Sequence, residues 1–397
     1  SGKHREDEVQ EKRRAIAKDE MQEKRKHGEK KMDKERIAEL AEKYYPYVRE
    51  LRHEFHRNPE LSWKEIRTSR RVMEELERMG VPYQAHCGNE TNVAAYIKGS
   101  GSGLGKTIML RADMDALPIQ EDESHGLCSE TPGVMHACAH DGHIASMLGT
   151  VRILNELKDQ FSGTIKIAFE AGEEDGGGAK DFIKAGFLDD VEAVFGCHLF
   201  GTVKEGVFAT RVGDFMSASD ALWLKIRGRG GHSSTPHLAV DPVNIAAQFI
   251  TDSQAIVARM AAPTDIAVLG FSTIQGGTVY NTIPDEVNIS GSLRCFSEET
   301  RELIRRGMEG ILKGLCQAYG AEYELRYTNT MYAVHNDERL TKMAVESAAK
   351  VVGSDHIDLL QYPQMGSETF AFYREKAPCC LYYLGIDAGD RLPVGHN

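Results

Sequence analysis

The chain has 397 residues, too many for one simple core, and its 41% hydrophobic and 27% charged content is ordinary for a folded protein of two domains. A formal net charge of −12 argues against a broad phosphate-binding surface, so nucleic acid is not an expected partner. No apolar run reaches the length of a membrane span and no apolar signal core opens the chain; eight scattered cysteines without framework spacing predict a reduced, cytoplasmic setting and no membrane partner.

Residues 3–41 are dominated by Lys, Arg, Glu and Asp with opposite charges at i, i+4, which predicts a charged helical arm or tail over 1–43. Apolar a/d positions there are too sparse for a coiled coil. Compact sequence is expected from about residue 44. A helix is predicted over 48–79, interrupted at Asn58-Pro59, followed by strands at 92–97, 107–111, 164–169 and 193–198 with helices at 144–158 and 179–185 between them. Strands alternating with helices predict an α/β fold with a mostly parallel central sheet. From about residue 214 the pattern changes to strand 218–227, helix 242–260, strands 266–275 and 286–296, helix 298–318 and strand 322–327. This β-α-β-β-α-β order predicts an inserted α+β ferredoxin-like domain over 214–328. A helix at 337–352 and a strand at 380–384 resume the first domain, which therefore covers 44–213 and 329–397.

Several clusters could carry chemistry. Asp113 and Asp115 share one side of an extended chain at a strand end, where ligand sites of α/β sheets lie; an acidic turn before Pro118 is the alternative. Within His136-Ala137-Cys138-Ala139-His140-Asp141-Gly142-His143, thiolate and imidazole groups crowd together in a way that suits zinc or a neighbouring transition metal, with Asp141 either orienting an imidazole or capping the following helix. Glu173-Glu174, ahead of three glycines, offers one carboxylate as ligand and one as general base; alone, the pair reads equally as an acidic turn. His198 closes a predicted strand and is a ligand or a satisfied buried histidine, and His396 stands second from the C-terminus. Four of these features fall at C-terminal ends of predicted parallel strands, so a single crevice would collect them.

In the second domain, His232 follows two glycines and could donate to a developing oxyanion, or be part of a polar turn. Asn281 opens a predicted turn between strands. Arg294, within a strand, could grip a carboxylate or be a surface charge. His53-Glu54-Phe55-His56 has the wrong spacing for a zinc-binding helix and is read as helix surface, and the glycines of 99–105 as an inter-strand loop.

The markers occur in a recognisable order: His56-Arg57-Asn58-Pro59-Glu60-Leu61, Arg111-Ala112-Asp113-Met114-Asp115-Ala116-Leu117-Pro118, residues 135–143, Glu173-Glu174, His198, Gly231-His232-Ser233-Ser234, residues 281–285 and 291–296, and Gly366-Ser367-Glu368. On these residues the chain, from about 51 to 397, resembles the metal-dependent amidohydrolase and peptidase family of bacterial aminoacylases, hippurate hydrolases, certain carboxypeptidases and plant auxin-conjugate hydrolases. The resemblance implies a catalytic α/β domain with an inserted lid that makes a homodimer. It implies two divalent ions (Zn, Mn, Co or Ni) held by Cys138, His140, Glu174, His198 and His396, with Glu173 as general base and Asp115 as an orienting group behind the ligands. It further implies that His232 makes an oxyanion contact, often across a dimer, and that Asn281 and Arg294 hold the carboxylate of a small amide substrate. The activity implied is hydrolysis of N-acyl amino acids or related conjugates through a metal-bound water, with a dipeptidase, a carboxypeptidase or a non-catalytic binding protein as alternatives. The chain departs from the family pattern at Ala139, where glycine is usual, at Thr369, where aspartate is usual, and at Ala171-Gly172, which replaces a proline-containing approach.

Overall fold

The computed structural model describes residues 34–122, 124 and 126–389. In chain order the first unit contains α1 (Lys34–Arg57), α2 (Ile66–Arg78), β1 (Tyr83–Ala85), β2 (Val93–Lys98), β3 (Lys106–Asp113), α3 (His140–Glu156), β4 (Gly163–Glu170), α4 (Gly178–Lys184), β5 (Ala193–Lys204), β6 (Phe208–Thr210) and β7 (Gly213–Met216). The second unit follows as β8 (Ala218–Arg227), β9 (Gly231–His232), α5 (Pro242–Ala255), β10 (Ala267–Gln275), β11 (Thr282–Ile283), β12 (Glu286–Cys295), α6 (Glu298–Tyr319) and β13 (Glu322–Met331). The first unit then resumes with β14 (Val334–Asn336), α7 (Glu338–Val352), β15 (Ile357–Leu359) and β16 (Cys379–Asp387).

α1 runs through Pro46 and begins at Lys34 rather than near residue 48. It starts inside the segment expected to be an arm, and Leu40 is already fully buried. Leu51 and Phe55 continue that apolar stripe against Ile144 and Leu148 of α3. The helix stops where Pro59 removes a backbone donor. Residues 1–33, the rest of the expected arm, lie outside the described residues.

Eight strands form the main sheet in the order β1-β2-β4-β3-β5-β16-β6-β15. β4, β3, β5 and β16 run parallel, and β1 and β2 add an antiparallel edge. The central strands are apolar because helices cover both faces. Along β4, Ile165, Ile167 and Phe169 join the core under α1–α3, while Ala168 faces the core that holds Phe182 and Phe370. Each such large apolar side chain contributes roughly 1.5–3 kcal/mol on burial. Register then positions the chemistry: Asp113 pairs with Glu170, Arg111 with Gly196, and His198 with Tyr383.

The second unit is a four-stranded antiparallel sheet, β10-β12-β8-β13, the order of a ferredoxin-like β-α-β-β-α-β unit. Leu222, Leu224 and Ile226 of β8 pack under α5 and α6 against Phe249, Ile304 and Met308, while Trp223 faces outward. Asp241 caps α5 ahead of Pro242, and Ser297 caps α6. α5 continues from Ala255 into a π-helix, Ile256–Met260, so the helical segment reaches the expected residue 260, and β13 runs on to Met331. No helix among the described residues is long and apolar enough to cross a membrane.

Candidate metal centre

The chain enters α3 through Ala139, which adopts a left-handed conformation (φ 62°, ψ 19°) and makes no side-chain cap. A non-glycine residue there costs roughly 1–2 kcal/mol. The bend turns Cys138 and His140 toward the crevice above β3 and β5. Asp141 neither caps the helix nor orients a ligand imidazole. Its Oδ2 instead takes His56 Nδ1 at 2.9 Å and Arg52 Nε at 3.1 Å. His56 is thus buried, not helix surface as expected, with Glu121 on its other nitrogen at 2.9 Å. Its imidazole is held above its usual range, chiefly by the hydrogen bond to Asp141.

His198 lies inside the twelve-residue β5 rather than at its end. β3 stops pairing at Gly196, so His198 lies past the covered part and opens onto the crevice. Its Nδ1 donates to the Leu199 carbonyl at 2.7 Å, which fixes the tautomer and leaves an Nε2 lone pair 3.5 Å from Cys138 Sγ. His140 is arranged the same way. Its Nδ1 donates to the Asp115 carbonyl at 2.8 Å. Its buried Nε2 has no hydrogen-bond partner among the described residues, and lies 3.4 Å from Asp113 Oδ2 and 3.9 Å from Glu174 Oε1. One ligand atom each from Cys138, His140 and His198 lies within 4.8 Å of the others, as do those from His140, Glu173 and Glu174. One thiol and two imidazole donors beside carboxylates, with their ligand atoms converging, fit divalent transition ions.

Electrostatics support that fit. Burial, then His143, pushes His198 down to about 4, so the ring is a neutral donor. Burial also pushes the Cys138 thiol up to about 11; a nearby cation is what such a site needs to hold thiolate. Burial disfavours charge on His140, but the Asp113 carboxylate outweighs it and holds the imidazole well above its usual range. A metal ion would take the place of that proton.

Behind the ligands lies a buried charge network that sequence reasoning left unassigned. Arg111 donates from Nε to Glu170 at 2.6 Å, from Nη1 to Asp113 at 2.7 Å, and from Nη2 to Glu368 and Thr369 at 2.8 Å each. Asp113 also takes His143 Nδ1 at 2.6 Å, and His143 Nε2 accepts the Leu199 N–H at 2.8 Å, so both nitrogens of His143 are engaged within the protein. The available signal was a charged residue, Arg111 or Glu170, near the buried C-terminal end of a strand. Glu173 accepts the Thr369 N–H at 3.0 Å. Burial, then the neighbouring Glu368 and Glu174, raises its carboxyl well above the usual range, while Arg111 keeps Glu368 ionised against the same burial. Asp115 takes Ser62 Oγ at 2.6 Å and the Glu174 N–H at 3.0 Å on one oxygen, so its carboxylate orients the loop of Glu174 while its carbonyl orients His140.

A cavity of about 510 Å³ joins this cluster to the second unit, with Cys138, Glu173, Glu174 and His198 on one wall and Arg294 on another. Arg294 Nη1 donates to the Met365 carbonyl at 2.7 Å, and no carboxylate among the described residues pairs with it. His232 and Asn281 are brought to each other instead, on the two-stranded β9–β11 ribbon, where Ser233 N–H meets the Asn281 carbonyl at 3.0 Å. Neither lines the cavity. His232 Nδ1 accepts the Ser234 N–H at 3.1 Å, so its proton sits on Nε2 as an outward donor. His396 lies outside the described residues.

The profile of the peptidase family M20/M25/M40 matches residues 109–397. Thermostable carboxypeptidase 2 of Saccharolobus solfataricus is 37% identical over 355 residues, 88% of this chain and 88% of that protein. N-acyl-L-amino acid amidohydrolase of Geobacillus stearothermophilus is 38% identical over 297 residues, 75% of this chain and 80% of its own. Among solved structures, the Bacillus subtilis YXEP protein, titled a dinuclear metal binding peptidase from the M20 family, matches with a TM-score of 0.74 at 30% identity, covering 90% of this chain and 92% of that one.

Proposed function

The chain belongs to the peptidase family M20/M25/M40, whose profile covers 109–397, and on that premise we propose that it hydrolyses the amide bond of N-acyl amino acids or related amino-acid conjugates. One observation carries the reading: the same cavity is lined by converging metal-donor groups and by the Arg294 guanidinium, which has no carboxylate partner among the described residues. A half-buried cation of that kind calls for an anion, and a substrate carboxylate supplies it with charge-assisted hydrogen bonds.

Cys138, His140, Glu174 and His198, with His396, would hold two divalent ions, of which Zn, Mn, Co and Ni are the candidates. Bound there, such ions acidify a water and polarise an amide carbonyl. Glu173 accepts the proton of the attacking water and passes it to the leaving amine. Arg294, with Asn281, holds the substrate carboxylate and so fixes which amide faces Glu173. His232 offers Nε2–H to the developing oxyanion. Because His232 and Asn281 stand off the cavity in one chain, the complete site is proposed to form in a homodimer through the second unit, acting as a lid. Eight free thiols support a reducing, cytoplasmic setting.

A carboxypeptidase or dipeptidase activity at the same site is the second reading, favoured by the Saccharolobus solfataricus relative. A panel of N-acyl amino acids, dipeptides and glutamate conjugates, with and without chelator, separates the two. Glu173→Ala is expected to keep its metal content and lose about 10²–10⁴-fold in kcat. Full activity in that variant would refute the role of Glu173, and chelator-insensitive turnover would refute the metal-dependent mechanism.

A further inference from the structure

The loop that carries Glu173 and Glu174 is held from outside by a short strap, residues 60–65, that the steps above do not use. The Glu60 carbonyl accepts the Ala116 N–H at 2.8 Å, which ties the strap to the turn after β3. Ser62 Oγ donates to Asp115 Oδ2, the same oxygen that accepts the Glu174 N–H. Glu65, fully buried, accepts the Gly172 N–H at 2.8 Å, the Trp63 N–H at 3.0 Å and Thr91 Oγ1 at 3.0 Å. At the centre of the strap, the Trp63 indole N–H donates to Asp175 Oδ2 at 2.8 Å.

Trp63 has a left-handed backbone, φ 66°. For a bulky residue that conformation costs on the order of 1–3 kcal/mol, and it persists only where the surroundings over-determine it. Core packing is not the reason, since Trp63 is 38% exposed. What the conformation achieves is to lay the indole on two glycines of the carboxylate loop. A Cβ on Gly172 would lie 2.7 Å from Trp63 Cε2, and one on Gly177 would lie 2.3 Å from Cη2. The loop is thus clamped between an indole outside and the Asp115 and Thr369 contacts inside.

We propose that Trp63 is a positioning residue for the metal centre, whose strained backbone holds the indole on the 172–177 loop and so keeps Glu174 against His140 and Glu173 against Thr369. The proposal rests on the metal-dependent reading above. Gly177 offers a clean way to test it, because its φ of −131° is open to alanine and an added methyl acts only by displacing the ring. A phenylalanine at position 63 reaches neither Cζ2 nor Cη2, so Trp63→Phe makes room for that methyl.

Wild type, Trp63→Phe, Gly177→Ala and the double variant are compared by Zn(II) competition against a chelating dye and by steady-state hydrolysis of an N-acyl amino acid. Gly177→Ala is expected to weaken Zn(II) binding about 10–100-fold, the size of effect seen when groups behind metal ligands are disturbed. It should lower kcat to a similar degree while KM moves less than about threefold. Trp63→Phe, which loses one hydrogen bond, should cost about 2–10-fold, and the double variant should recover to the level of Trp63→Phe. Wild-type Zn(II) affinity and kcat in Gly177→Ala, or a double variant that sums the two losses, would overturn the proposal. Wild-type protein that binds Zn(II) but hydrolyses no amide in the panel refutes the proposed function, while the Zn(II) series still decides the role of Trp63.

Discussion

Two regions bearing histidines of the candidate site are built in opposite ways. Around β3, β4 and β5, His140, Glu173 and Asp113 are buried, and each is oriented by at least one backbone or side-chain contact. On the β9–β11 ribbon, His232 sits exposed on a two-residue strand, its ring held among the described residues by Ser234 alone. The first region is preorganised within one chain, at the cost of burying several carboxylates around one arginine. The second presents a donor that, on the function proposed above, a partner surface completes. On the proposed roles, metal binding and transition-state contact draw on different parts of the fold and are therefore separable by mutation.

That separation can be broken most forcefully at Arg111. Arg111→Met leaves Asp113, Glu170 and Glu368 buried without their common cation, and a loss of about 3–5 kcal/mol in urea unfolding is expected. Unchanged stability would mean that the network is not what holds the strand ends together. His232→Ala should sharpen the contrast from the other side. A fall of about 10²–10³-fold in kcat is expected, with metal content and thermal unfolding as in wild type, since the side chain is exposed. Loss of metal in that variant would show the regions to be coupled. The smallest effect is expected at Ala139, whose left-handed backbone favours glycine. Ala139→Gly should stabilise the metal-free protein by about 1 kcal/mol in thermal unfolding; destabilisation would show that the Ala139 methyl contributes more packing than the backbone costs.

Much of the first region was legible in the sequence. Cys138, His140, Glu173, Glu174 and His198 could be picked out because metal-binding residue types cluster, and because strand ends collect on one edge of a parallel sheet. Arg111, Asp113, His143, Glu170 and Glu368 were not assigned roles. Their partners lie on different strands, as with Arg111 and Glu368, so no local spacing reveals the pair. His56 was read as surface because a lone helical histidine carries no sign of its partners, Asp141 and Glu121.

Composition and periodicity by themselves determined the alternation of strands and helices, the inserted β-α-β-β-α-β order and the residue types able to bind metal, because these depend on local pattern. Only the tertiary structure decided which imidazole nitrogens carry the proton, which carboxylates share Arg111, that Arg294 faces the metal cluster while His232 does not, and that Trp63 lies strained across the glutamate loop. Those outcomes depend on distances between residues far apart in the chain, which the register of the parallel strands and the packing of the two units set.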